Sequence, residues 1–179
     1  MPPSAINRFQ GPPIVDSTVV TTLTYICRFH FNNPESPDVN SEVFKKDFSI
    51  GEKQYFVILL IALCAKRDWD SIERLLTPKG WQSKLGIGSK IKSPISLERV
   101  IFLLGKSVYK APEEMMSKYI RQIDDLERRL ELATKYRCFG VGIEVLKQLK
   151  DTERLKAFVS QMSAPEQRRY RPMLAKMFS

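Results

Sequence analysis

The chain has a single histidine, three cysteines and only short apolar runs, and each shortage removes a class of function. Cys27 and His30 have a C-x-x-H spacing, which on a helix puts both side chains on one face. A structural zinc site needs four ligands, and no second histidine is available to complete one. As nucleophile and base, the same pair lacks an orienting third group and an oxyanion site. His30 therefore reads as a packed or surface histidine. Cys27, Cys64 and Cys138 are odd in number and widely spread. That usage fits a reducing compartment where thiols serve as small hydrophobes, so the expected location is cytosolic. The longest apolar run, Tyr55 to Ala65, is eleven residues, well short of the roughly 20 that span a bilayer. It predicts a buried helix. The N-terminus has no basic-then-apolar signal, and Pro2, Pro3, Gly11, Pro12 and Pro13 make residues 1–15 an extended, proline-rich leader.

Glycine-rich phosphate loops are missing as well. The stretch Leu85-Gly86-Ile87-Gly88-Ser89-Lys90 has neither the Gly-x4-Gly-Lys-Ser/Thr spacing of a P-loop nor the third glycine of a dinucleotide fingerprint, and no strand precedes it. It reads as a flexible basic loop, and no cofactor is expected. Asp124, Asp125, Glu127 and Glu131 cluster, but Arg128, Arg129 and Lys135 interleave at helical offsets, which is the pattern of a solvated, self-neutralising face. Nothing here resembles a catalytic constellation, so no enzyme is expected.

What the chain does have is charge and helical periodicity. Lys and Arg outnumber Asp and Glu by 29 to 20, giving +9, which permits nucleic acid, acidic lipid or an acidic protein as partner and selects none of them. Part of the excess is local, in Arg168, Arg169, Arg171 and Lys176. Apolar residues recur at intervals of three or four at Ile123, Leu126, Leu130 and Ala133, at Val141, Val145 and Leu149, and at Leu155, Phe158, Val159 and Met162. Short helices with one apolar face must stack to bury it. The predicted fold is an all-α solenoid of about nine short antiparallel helices, forming one domain over residues 16–179.

Boundaries follow from local signals. Asp16 or Ser17 caps a segment to about Asn32, helical despite the β-branched run Thr18 to Thr22. Pro34 and Pro37 predict a loop over 32–47. Ser49 with Glu52 has capping-box spacing and opens the apolar helix that ends at Lys66 and Arg67. Asp68 or Asp70 begins the next helix, which stops before Pro78, and a long link leads to a helix capped by Ser96. Pro112 suits a helix N1 position. Asp124 or Asp125, Phe139, Asp151, and Ser163 with Glu166 mark four further starts.

Several separated pieces fall in a telling order: Asp68-Trp69-Asp70-Ser71-Ile72-Glu73, Lys79-Gly80-Trp81, Ser93-Pro94-Ile95, Arg99-Val100, Asp124-Asp125, Leu130-Glu131-Leu132-Ala133-Thr134-Lys135-Tyr136-Arg137-Cys138 and Leu149-Lys150-Asp151. Over residues 68–158 they resemble the C-terminal region of the vacuolar protein sorting subunit sixteen family, most closely its spermatogenesis-defective thirty-nine homologue branch. The link from Gly80 to Ser93 is longer than that family pattern. The resemblance implies a C-terminal fragment of a longer protein. It also implies an α-solenoid that holds one SM (Sec/Munc-like) protein of the vacuolar sorting subunit thirty-three type, one-to-one, in a CHEVI or HOPS-like tethering assembly. Such a protein would be cytoplasmic and peripheral on endosomes, late endosomes and lysosomes, without binding nucleic acid.

The expected role is that of a non-catalytic adaptor. Exposed aromatic and basic residues on successive helices are the natural anchors, because they bury much area at small entropic cost. The candidates are Trp81, Arg99, Tyr119, Arg121, Arg128, Lys135 and Tyr136. The alternative is a basic helical domain that binds acidic membrane surfaces or nucleic acid directly, and steep salt dependence separates it from an apolar interface.

Overall fold

The computed structural model describes residues 17–31, 39–77, 93–106 and 108–175. Within them are ten helices and no strand. The leader, Asp16, Trp81, the Leu85 to Lys90 stretch and Lys176 lie outside the described residues. Contacts divide the chain into two compact units, one up to Pro94 and one from Ile95, whereas the sequence pattern suggests a single helical domain.

In the first unit, α1 (Val19–Phe29) begins at Thr18, whose side chain accepts the Thr21 N–H. Its β-branched residues are helical because packing outweighs propensity: Leu23, Ile26 and Cys27 are buried, and α1 packs chiefly on α3. α2 (Ser41–Asp47) corrects the expectation of a loop. Asn40 caps it by accepting the N–H groups of Glu42 and Val43, and the buried Ser41 hydroxyl lies 2.9 Å from the Tyr55 hydroxyl. α3 (Glu52–Lys66) is the apolar helix, buried at Tyr55, Phe56, Ile58, Leu59, Leu60, Ala62, Leu63 and Cys64. Its cap is Gly51 rather than Ser49. Ser49 instead ends α2 in a left-handed conformation, φ 52°, donating to Lys46 O while Ile50 donates to Lys45 O. Glu52 pairs with Lys45 at 2.5 Å instead of closing a capping box. α4 (Trp69–Leu76) starts at Asp68 and buries Ile72 and Leu76.

The second unit runs α5 (Leu97–Leu104), α6 (Glu113–Ile120), α7 (Leu126–Lys135), α8 (Phe139–Leu149), α9 (Thr152–Ser160) and α10 (Ala164–Ala175). From α5 to α9 each helix packs on the next, and α10 returns to α8, so the unit has the sequential stacking of a solenoid. α8 is central, with Phe139, Val141, Ile143, Val145 and Leu146 buried. Space for this is made by Gly142, where a Cβ would lie 2.2 Å from Phe158 Cζ. The Phe158 ring meets Phe139 edge-on, with centroids 5.6 Å apart. Pro112 is the residue before α6 rather than its first.

Two joints in this unit are very short. Arg137 (φ 56°) and Lys150 (φ 54°) take the left-handed conformation, and Cys138 and Asp151 immediately open the next helix. Asp151 donates its N–H to Leu146 O and accepts the Arg154 N–H on its carboxylate. Asp68, in the first unit, does the same between Leu63 O and the Ser71 N–H.

Candidate functional site

Arginine–carboxylate pairs join the helices of the second unit. Arg121 Nε and Nη2 donate to Glu144 Oε2 and Oε1, both at 2.9 Å, tying the end of α6 to α8. Arg128 on α7 reaches Glu98 on α5 at 2.6 Å and Glu131 at 2.5 Å. Arg154 on α9 holds Glu127 on α7 at 2.7 and 2.9 Å, Arg137 holds Glu166 on α10 at 3.1 Å, and Arg169 on α10 holds Glu113 on α6 at 2.8 Å. The hydrogen bonds from Arg128 hold the Glu98 carboxyl below its usual range. Glu166 is lowered to about 2, first by the Ser163 hydroxyl and then by the Ser163 N–H. Within the acidic cluster of α7, Glu127 is paired with Arg154 of another helix, Glu131 is paired with Arg128 three residues earlier on the same helix, and Asp125 caps the helix by accepting the Arg128 N–H, while Arg129 donates to Ile123 O.

These pairs recast several sequence candidates. Arg121 and Arg128 are engaged within the unit, and Tyr119 is wholly buried, at 0% exposure, in the core under α6. As an exposed anchor Tyr119 is therefore corrected to a core residue. Tyr136 is half-buried: a Cβ on Gly105 would lie 2.1 Å from Tyr136 Cε1, so its ring lies directly against the end of α5. Burial raises its phenol above the usual range. Arg99 and Lys135 remain exposed.

What brings Arg99 and Lys135 together is a residue that the sequence pattern did not single out. Phe102 is 42% exposed, while Val100, Ile101, Leu103 and Leu104 around it are buried. Its ring has Arg99 Cζ at 5.3 Å, Lys106 Nζ at 5.8 Å and Lys135 Nζ at 5.9 Å from the centroid. Lys135 also lies 5.4 Å from the Tyr136 ring. Among the described residues none of these three cations is ion-paired to a carboxylate. The one sequence clue is phase: Phe102 falls between the positions that make the core face of α5.

A separate cleft of about 240 Å³ is lined by Glu113, Ser117, Arg121, Glu144, Arg169 and Tyr170, among others. Two of its carboxylates look like an acid–base pair but already have partners, Glu144 in Arg121 and Glu113 in Arg169 and the Tyr170 hydroxyl, which donates to it. Burial and the bond to Glu113 push Tyr170 up to about 12. The thiols are equally unsuited to nucleophilic work at neutral pH. All three are buried, and burial pushes Cys27 and Cys64 up to about 12. No group of three or more potential metal ligands occurs among the described residues, and none of the described helices is long and apolar enough to cross a membrane.

The fold and this surface define a class, an all-α protein of short, sequentially packed helices with a cationic aromatic face. Within that class the chain is similar to spermatogenesis-defective protein 39 homolog of Mus musculus, at 34% identity over 149 residues, covering 83% of this chain and 29% of the relative. The similarity to the Danio rerio protein of the same name is 32% over 163 residues, 90% of this chain and 32% of the relative. The chain thus spans about a third or less of the curated relatives it matches. No family model matches it, and no solved structure does.

Proposed function

We propose that this chain is a non-catalytic adaptor that holds an SM protein of the vacuolar sorting subunit thirty-three type, one-to-one, in a CHEVI or HOPS-like assembly serving endosome–lysosome traffic. The wider membership proposed is the vacuolar protein sorting subunit sixteen family. Two things support this: the resemblance of residues 68–158 to that family, and the similarity to spermatogenesis-defective protein 39 homologs over most of this chain. The observation that carries the reading is the second unit itself. Arg121, Arg128, Arg154 and Arg169 tie helix to helix through Glu144, Glu98, Glu127 and Glu113, and the aromatic ring of Phe102 is left exposed among cations. That is a surface for recognition.

Co-expression with candidate SM proteins, followed by size-exclusion chromatography with light scattering, tests the reading. A stable peak at the one-to-one mass is the expected result. A chain that is folded by circular dichroism yet forms no complex with any SM paralogue overturns it. Titration with acidic liposomes and oligonucleotides at two salt concentrations then reads the competing possibility, because purely electrostatic binding falls steeply with salt.

A further inference from the structure

We infer that the Phe102 ring, with Arg99, Lys106 and Lys135 around it, is the docking point for an acidic segment of a partner protein that carries an apolar side chain between its carboxylates. The inference rests on the adaptor reading and names the surface and the partner chemistry. Burial would satisfy the Phe102 side chain, yet it is exposed on a helix whose Val100, Ile101, Leu103 and Leu104 are buried. Three cations lie within about 6 Å of its centroid, the range of cation–π attraction. Like charges gathered round one ring repel each other, and carboxylates placed between them remove that repulsion. The centre of such a contact is apolar and its rim is charged, the arrangement of a recognition hot spot.

Other polyanions fit less well. Single-stranded nucleic acid is held by successive stacking platforms along a basic track, whereas Phe102 is the one large aromatic side chain exposed among the described residues of this unit. An interfacial helix presents a whole apolar face to the membrane, and the apolar face of α5 is buried. The site is also pre-set. Tyr136 lies against Gly105 at the end of α5 and beside Lys135 at the end of α7, so both edges of the patch are anchored through one ring. Tyr136 is a positioning residue, which gives this candidate a different role from a direct anchor.

The test uses the full chain and two probes. The first is a short synthetic acidic peptide with one central leucine, paired with the same peptide carrying serine there, and binding is read by fluorescence anisotropy. The second is the SM protein found by co-expression. Phe102→Ala and Lys135→Glu should each weaken binding of the leucine peptide and of the SM protein by about tenfold to thirtyfold. Lys147→Glu, an exposed charge reversal on α8, should change it less than about twofold, and the serine peptide should bind more weakly than the leucine peptide. Phe102 is exposed, so its variant keeps the fold, and circular dichroism verifies this. An SM complex that forms but ignores both substitutions overturns the docking point and leaves the adaptor reading standing. Peptide binding that needs Phe102, with no SM complex, does the reverse. Binding of phosphatidylserine vesicles or an oligonucleotide that is lost with Lys135→Glu but kept with Phe102→Ala also overturns the inference, since charge alone would then explain the patch.

Discussion

The two units bury their helices by different means. In the first, α3 is apolar almost all round and α1 and α4 pack on it, and Lys45 pairs with Glu42 and Glu52 at the surface. In the second, α7 is mostly polar, and arginines on α7, α9 and α10 each reach a carboxylate on another helix. Apolar burial is strong and does not specify direction, whereas a bidentate arginine pair adds little energy and fixes which helix faces which. The first unit is thus held chiefly by area, and the second has its register set by charge. A unit meant to present a fixed arrangement of side chains to a partner gains more from the second device.

Substitutions can break or sharpen this contrast. The largest effect is expected for Leu60→Ala in α3. Leu60 is fully buried, and the cavity should cost about 2–5 kcal/mol, seen in chemical denaturation and as lost amide protection in α1 and α3. An undiminished midpoint would mean that α3 is not what holds the first unit. Next comes Gly142→Ala, where the added methyl meets the Phe158 ring; overpacking of this kind costs about 1–3 kcal/mol. A neutral result would show that α9 can shift on α8. A double-mutant cycle on Arg121 and Glu144 should give a coupling of only about 0.2–1 kcal/mol that shrinks as salt is added. A much larger value would make charge a main source of stability rather than of register.

The smallest and most local effect is on pH. Glu166 is held at about 2 in the fold against an ordinary 4.5. A lowered folded value means that the folded state favours the ionised form, so the contribution is complete above 4.5 and disappears as pH falls towards 2. The attachment of α10 should weaken over that window, and Glu166→Gln should flatten the dependence. Amide exchange in α10 across the acid range reads both.

Features encoded within one turn of chain were legible in the sequence. Ser96 and Asp151 cap where expected, Asp68 and Asp125 are the members of each expected pair that cap, and Thr18 caps α1 in place of Asp16 or Ser17; a cap and the N–H it accepts are three residues apart. Glu166 likewise reaches back to the Ser163 N–H. α2 was hidden because seven residues preceded by Pro34 and Pro37 carry too little periodicity, and the cap Asn40 is the one local signal for it. Ser49 misled because the Ser-x-x-Glu spacing also arises where one helix stops and another begins. The site was less legible for a physical reason. Arg121 looks unpartnered in sequence, since its carboxylate lies 23 residues away, and Arg128, whose pairing with Glu131 follows from helical offset, also reaches Glu98 30 residues away. Phe102 sits in a continuous apolar run, where its helical phase is a faint clue and packing shows that it faces outward.

The short joints have a consequence for how such a chain changes over time. Asp68 and Asp151 each close one helix with the N–H and open the next with the carboxylate. A residue inserted there would separate those two tasks, so one helix end or the other would lose its partner. Substitution can be absorbed at these points, but a change of length cannot. Insertions and deletions should therefore accumulate in the longer connections, such as the one between α5 and α6, and leave the spacing from α7 to α9 unaltered.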